Sequence, residues 1–265
     1  MKRILFTSSA ILLAAICIAQ QKQGKVTYDR IAQVRINIAD SHNGEQSQPQ
    51  TRTDKFELSF TENQSLWKQA EKETEEDGGM NQGGMQIRMI VAGSDDILYN
   101  NFTDAKRTEL RVFLDKKFII DDSIRSLKWK MGEETKTILN HICRKATATT
   151  INPRITMNID NGVMQRKEIQ DTVNITAWFT GDIPVSAGPA EFQGQLPGLI
   201  LALDINNGRQ VFIATSISEK VDVNSIKAPT GKKHYTQAEY RKERDKMMEE
   251  MQQNNGGGNR QIRIN

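Results

Sequence analysis

The 265 residues include only two cysteines, three histidines and 6% aromatic residues, so the side chains that most chemistry needs are scarce. Cys17 lies in an apolar stretch at the N-terminus, and Cys143 stands alone beyond it. A chain that loses its leader therefore has no partner for an internal disulfide. A single Cys in a strand-like segment reads as a small buried hydrophobe, and no adjacent His nominates it as a nucleophile. His42, His141 and His234 are isolated from one another in sequence. His-Glu-x-x-His, Gly-x-Ser-x-Gly, the P-loop and the dinucleotide fingerprint are all absent. Asp95-Asp96 and Asp121-Asp122 are carboxylate pairs, but neighbours on a strand point to opposite faces and do not make an acid–base dyad. No catalytic residue, cofactor or metal site is expected.

An excess of one charge is lacking as well. The net charge of +3 includes Lys2 and Arg3. Without them the 36 basic residues come within one of the 33 acidic ones, which gives no case for a nucleic-acid partner.

Long hydrophobic runs are absent except at the start, where Met1-Lys2-Arg3 precedes an apolar stretch from Ile4 to Ile18, followed by Ala19-Gln20-Gln21. A basic head, a short apolar segment and a small residue at the cut site make a secretory signal. The stretch is too short, with too polar a sequel, to serve as a transmembrane anchor. Lipidation at Cys17 is disfavoured because Ile16 precedes it where such a signal takes Gly, Ala or Ser. Residues 1–19 are thus expected to be cleaved after Ala19. The mature chain would then act in the periplasm, at the outer membrane or outside the cell.

Beyond the leader the dominant period is two. Val34, Ile36 and Ile38 alternate with polar neighbours, as do Phe56, Leu58 and Phe60, then Leu110, Val112 and Leu114. Ile155 to Ile159, Val173 to Phe179, Leu199 to Ile205 and Val211 to Ile217 repeat the pattern. Such alternation buries one face and wets the other, which predicts antiparallel sheet. Asp160-Asn161-Gly162 and Asn206-Asn207-Gly208 supply the positive φ angles of tight hairpins. About nine to twelve strands are expected.

Two stretches depart from this. Residues 71–86 are acidic, then glycine-rich, and read as a loop that buries no core; Met80 and Met85 suggest a copper(I) site only weakly. Thr236-Gln237-Ala238-Glu239 is a capping box that opens a helix to about Gln253, with a narrow apolar stripe of Tyr240, Met247 and Met251. The tail after it reads as disordered. The expected divisions are 1–19, 20–235 and 236–265. Asp122-Ser123-Ile124 and Asp171-Thr172-Val173 have the form of short O-glycosylation triplets, which also arise by chance.

The densest constellation runs from Trp178 to Asp204. Trp178, Phe179, Pro184, Gly188, Pro189, Gly194, Leu196, Pro197, Gly198, Leu199 and Ile200 are the candidate ligand- or partner-binding residues. Pro197-Gly198 suits a type II turn with positive φ at Gly198, Gly188-Pro189 a second turn, and Gly194 a close backbone approach. A tight sheet corner ahead of a core strand accounts for the same residues.

Gln195-Leu196-Pro197-Gly198-Leu199-Ile200 resembles the signature of the GLPGLI family, secreted Gram-negative proteins of unassigned function, with Gln in place of the first Gly. Trp129, Glu134-Thr135-Lys136 to Ile138, Cys143-Arg144-Lys145-Ala146 and Ala177-Trp178-Phe179 extend the likeness over about Asn100 to Arg209. The resemblance implies an envelope protein and carries over no catalytic residue.

The expected fold is one antiparallel, strongly curved sheet or open half-barrel, or alternatively a β-sandwich, with a C-terminal helix. The expected function is non-enzymatic binding or carriage of a lipid or hydrophobic peptide, on a face that includes Phe56, Leu58, Leu110, Val112, Ile175 and Phe179. A structural or interaction protein of the envelope, with a protein partner, is the alternative, and a secreted hydrolase comes third. The mature N-terminus should lie at or near Gln20. N-terminal sequencing of protein from the envelope or medium should begin there, and an intact Met1 found in the cytosol would contradict it.

Overall fold

The computed structural model describes residues 21–35, 49–71, 96–160 and 163–256. The leader with Ala19, Ile36 and Ile38, the 72–95 stretch with Met80 and Met85, the Asn161-Gly162 turn and the tail beyond Gly256 lie outside the described residues.

The strands are β1 (Gly24–Arg35), β2 (Pro49–Phe60), β3 (Gln64–Gln69), β4 (Ile97–Asn101), β5 (Lys106–Phe113) and β6 (Lys116–Ser123). After them come β7 (Lys130–Ile138), β8 (His141–Asp160), β9 (Val163–Thr180), β10 (Leu199–Ile205), β11 (Gln210–Ser218), β12 (His234–Tyr235) and one helix, α1 (Gln237–Gly256). All twelve strands join one sheet in the order β12-β6-β5-β4-β3-β2-β1-β11-β10-β9-β8-β7. β7 and β12 end the order unpaired with each other, so the sheet is not closed into a barrel.

The expected all-antiparallel sheet needs correction, because β12 runs parallel to β6 and the sheet is mixed. The chain reaches this edge by a long connection from β11 rather than by a hairpin, so nothing obliges it to run antiparallel. His234 and Tyr235 pair with Ile119 and Ile120. The His234 imidazole lies 2.7 Å from Asp121, and the Tyr235 ring meets Phe118 edge-on.

The period-two pattern becomes transverse rows of side chains. Val26, Leu58, Trp67, Leu98, Glu109 and Ile120 are successive register partners across six strands. A second row runs Arg30, Phe212, Leu203, Ala177 and Ala146. Most members of both rows are buried, so one face of the sheet carries the core. Asn207 and Gly208 take φ of +55° and +84°, the signs a type I′ turn requires, between β10 and β11.

An apolar sheet face must be covered by a second layer. No second sheet does this among the described residues, which leaves the sandwich alternative without support. The cover is the segment between β9 and β10: Ile183, Val185, Ala187, Phe192 and Leu196 pack into one core with Val26, Tyr28, Leu58 and Phe60. Burying each such aliphatic or aromatic side chain contributes about 1.5–3 kcal/mol before entropy is counted. Near the β12 edge α1 takes over, placing Tyr240 and Met247 on Phe118 and Ile120. Thr236 Oγ1 accepts from the Glu239 amide, and a Glu239 carboxylate oxygen accepts from the Thr236 amide, the reciprocal bonds of a capping box. Met251, the last residue of the expected stripe, is exposed.

Candidate ligand cleft

The segment from Gly181 to Ile200 is stitched to its surroundings by backbone and side-chain bonds. Leu199 donates to the Ile183 carbonyl, Ile200 to Ala187, and Gly194 to Ser186 at 2.6 Å. The Ser186 hydroxyl donates to Leu196 O, and the buried Tyr28 hydroxyl to Ile200 O at 2.6 Å. Burial in these surroundings drives the Tyr28 phenol far above its ordinary pKa, so it stays a neutral donor. Gln193 Oε1 accepts from Ser65 on β3. Gln195 Oε1 accepts from the Leu127 amide and from Trp129 Nε1 at 3.0 Å. Where the resemblance has Gly, the amide of Gln195 thus ties the cover to the β6–β7 connection.

The glycines of this block answer to close packing. A Cβ on Gly188 would stand 2.8 Å from Ile200, and one on Gly194, whose φ is +73°, 2.8 Å from Ile124. The expected type II turn at Pro197-Gly198 is not formed. Gly198 has φ of +157° rather than about +80°, and Leu199 N–H donates to Ile183 instead of closing back onto Leu196. The reason for glycine is steric, since a Cβ there would overlap the carbonyl oxygen of Thr180.

Most of the candidate binding residues are built into this cover. Phe179, Gly188, Pro189, Leu196, Gly198, Leu199 and Ile200 are buried, and Gly194 is half-buried. Pro184 and Pro197 are exposed. Trp178 is half-buried and packs against the core, with Lys136 Nζ 4.4 Å from its ring centre. None of the eleven lines the cleft that opens beside the cover. Its walls instead receive Ala190, Glu191, Phe192 and Gln195 from the same segment.

That cleft has a volume of about 900 Å³. Its floor is aromatic: Phe56 stacks on Trp67 at 5.0 Å and 5°, and Phe212 meets Trp67 edge-on at 5.8 Å. Leu98, Leu110, Leu127, Val173 and Ile175 add aliphatic surface. Of the apolar residues expected on a binding face, Phe56, Leu110 and Ile175 line it, whereas Leu58 and Phe179 are sealed in the core. Val112 is half-buried and its amide donates to Asp96.

Five arginines also reach the cleft, Arg30, Arg107, Arg111, Arg125 and Arg209, against Asp96, Glu109 and Glu191. Sequence reasoning passed over them because they are scattered over β1, β5, the β6–β7 connection and the β10–β11 hairpin. The Arg30 guanidinium lies 4.8 Å from the Phe56 ring centre and donates to Asp54 at 2.6 Å. Burial acts to raise the Asp54 carboxyl, but its bonds from Arg30 and Arg52 outweigh that and hold it below the usual range. Arg107 pairs with Glu109 at 2.9 Å, and Arg111 with the same carboxylate at 2.7 Å. The Nε atoms of Arg30 and Arg107 are buried and have no hydrogen-bond partner. A buried donor left without an acceptor costs about 1–3 kcal/mol.

The groups that a hydrolase would draw on are placed otherwise. His141 Nδ1 is 3.2 Å from Asp182, and Cys143, two residues on, is fully buried. Its thiol donates weakly to the His141 carbonyl, and burial pushes its pKa up to about 11. A thiol in that state is a poor nucleophile. No cluster of three or more His, Cys, Asp or Glu suited to a metal occurs among the described residues.

A family model described as a protein of unknown function (Porph_ging) matches residues 129–202, from β7 through the cover to the start of β10. That match does not carry the GLPGLI name. No curated protein matches the chain. Among solved structures the chain is similar to PNGF-II in a C2 space group, at 17% identity and a TM-score of 0.46. The likeness covers 82% of this chain and 31% of that one, so the chain spans about a third of that protein's length.

Gly198→Val should destabilise the protein by roughly 1–3 kcal/mol, the cost of displacing a fixed backbone. Thermal unfolding of the variant checks this, and an unchanged melting temperature would show that Thr180 O does not crowd the site.

Proposed function

We propose that the protein is an exported, non-enzymatic binding protein of the cell envelope that holds a ligand with an apolar body. The observation that carries this reading is the open cleft of about 900 Å³ floored by Phe56, Trp67 and Phe212. That volume falls in the range of small-molecule sites, about 300–1,000 Å³. Removing such a ligand from water contributes about 25 cal/mol per Å² before the costs of association.

The cleft also supports the half-barrel form. Leu110 and Thr150 both line it, although β5 and β8 stand eight places apart in the sheet order. At about 4.8 Å per strand a flat sheet would separate them by nearly 40 Å. Kinship with GLPGLI proteins rests on the Gln195–Ile200 block and its upstream motifs. Export rests on the leader at residues 1–19.

An interaction protein of the envelope is the second reading, favoured by Ile142 and Ile151 on β8, which are 64% and 65% exposed. Gently purified protein should carry a bound amphiphile visible by native mass spectrometry. Val173→Asp and Leu127→Asp, on the cleft walls, should remove it. Protein that carries no adduct and binds no added alkyl ligand would turn the assignment to the interaction reading.

A further inference from the structure

The cleft is not uniformly apolar, and its polar lining is asymmetric. Every fixed positive charge on it is a guanidinium, which cannot shed its proton to escape burial. Arg107 is the most enclosed, with its side chain only 10% exposed. Glu109 occupies one edge of that guanidinium, and Asp122 stands at 3.7 Å, beyond hydrogen-bond reach. The Nε–H remains buried without an acceptor. Arg30 repeats the pattern: Asp54 takes its terminal nitrogen, its Nε–H has no acceptor, and its plane lies over Phe56. Arg209, at the tip of the β10–β11 hairpin, is exposed and makes no side-chain ion pair or hydrogen bond among the described residues. Arg125 is 65% exposed and is held to Asp122 by one bond.

Guanidiniums on the walls beside an aromatic floor suit a ligand that brings acceptors and an apolar body together. We infer that the cleft binds a small amphiphile whose anionic head, a carboxylate or a phosphate, lies among Arg30, Arg107 and Arg209, with its apolar body on Phe56, Trp67 and Phe212. This rests on the binding-protein reading and assigns the ligand its charge. Guanidinium groups match both heads because each presents paired oxygens to the planar fork. The five guanidiniums of the lining outnumber Asp96, Glu109 and Glu191, and that excess acts against a cationic head.

Isothermal titration of the full mature chain with decanoate, decyl phosphate, decanol and decyltrimethylammonium separates the claims. One or both anions should bind about tenfold or more tighter than decanol, the scale of one or two charge-assisted hydrogen bonds. The cation should bind weakest, and added salt should weaken the anions alone. Comparing decanoate with decyl phosphate tells which head fits. Arg107→Gln should bring the anion's affinity down to that of decanol without changing decanol itself. Arg209→Gln, at an exposed position whose side chain has no partner among the described residues, should lower anion affinity with no change in melting temperature, and it keeps the test open if the Arg107 variant does not fold. Decanol binding as tightly as both anions would overturn the anionic head and leave the binding reading standing. No binding by any of the four ligands would overturn both.

Discussion

A twelve-stranded open sheet with one apolar face must hide that face, and the described residues offer a single helix with which to do it. α1 is mostly polar and covers only β6 near the β12 edge, through Tyr240 and Met247. The burden falls on the segment between β9 and β10, which has no regular structure beyond one short 3-10 turn and yet places Ile183, Val185, Ala187, Phe192 and Leu196 in the core. Irregular backbone can be buried only if its polar groups are paired. The Tyr28 hydroxyl, the Gln193 and Gln195 amides and the bonds to Ile183, Ala187 and Ser186 meet that condition.

The same constraint produces the cleft. The cover ends in Ala190 to Gln195 at one wall of the cleft, and among the described residues the lining extends to Asn206 and Arg209 of the β10–β11 hairpin. In the two register rows Glu109 and Arg30 are the charged members, and both line the cleft. The aromatic cluster around Trp67 belongs to the core and to the cleft floor at once, with Arg30 over Phe56. Packing and recognition therefore share side chains, and Phe56 belongs to both.

Much of this architecture could be read from the residues. Alternation in Phe56 to Phe60 and Val173 to Phe179 marks strands because period two is a local property of the chain. Thr236 and Glu239 mark the helix start for the same reason. The parallel β12 could not be foreseen, since two residues carry no periodic signal. Nor could the turn at Gly198, because Pro-Gly is compatible with several backbone paths and the carbonyl that selects among them belongs to Thr180, eighteen residues away. The dense Trp178–Ile200 block drew attention to a place where sequence is constrained, and packing accounts for the constraint. The cleft arginines escaped notice because Arg30, Arg107 and Arg209 come to line one cleft only through strand order, which no spacing along the chain encodes.

The central claim is that the β9–β10 segment is a fixed layer of the core. Native-state amide hydrogen exchange tests it at Gly194, Leu199 and Ile200, whose N–H groups bond to Ser186, Ile183 and Ala187. These amides should exchange as slowly as that of Leu203 in mid-strand, through opening close to the global unfolding free energy. Exchange at Gly194 and Leu199 at the rate of an open loop, with Leu203 still protected, would show that the segment does not hold the core face closed.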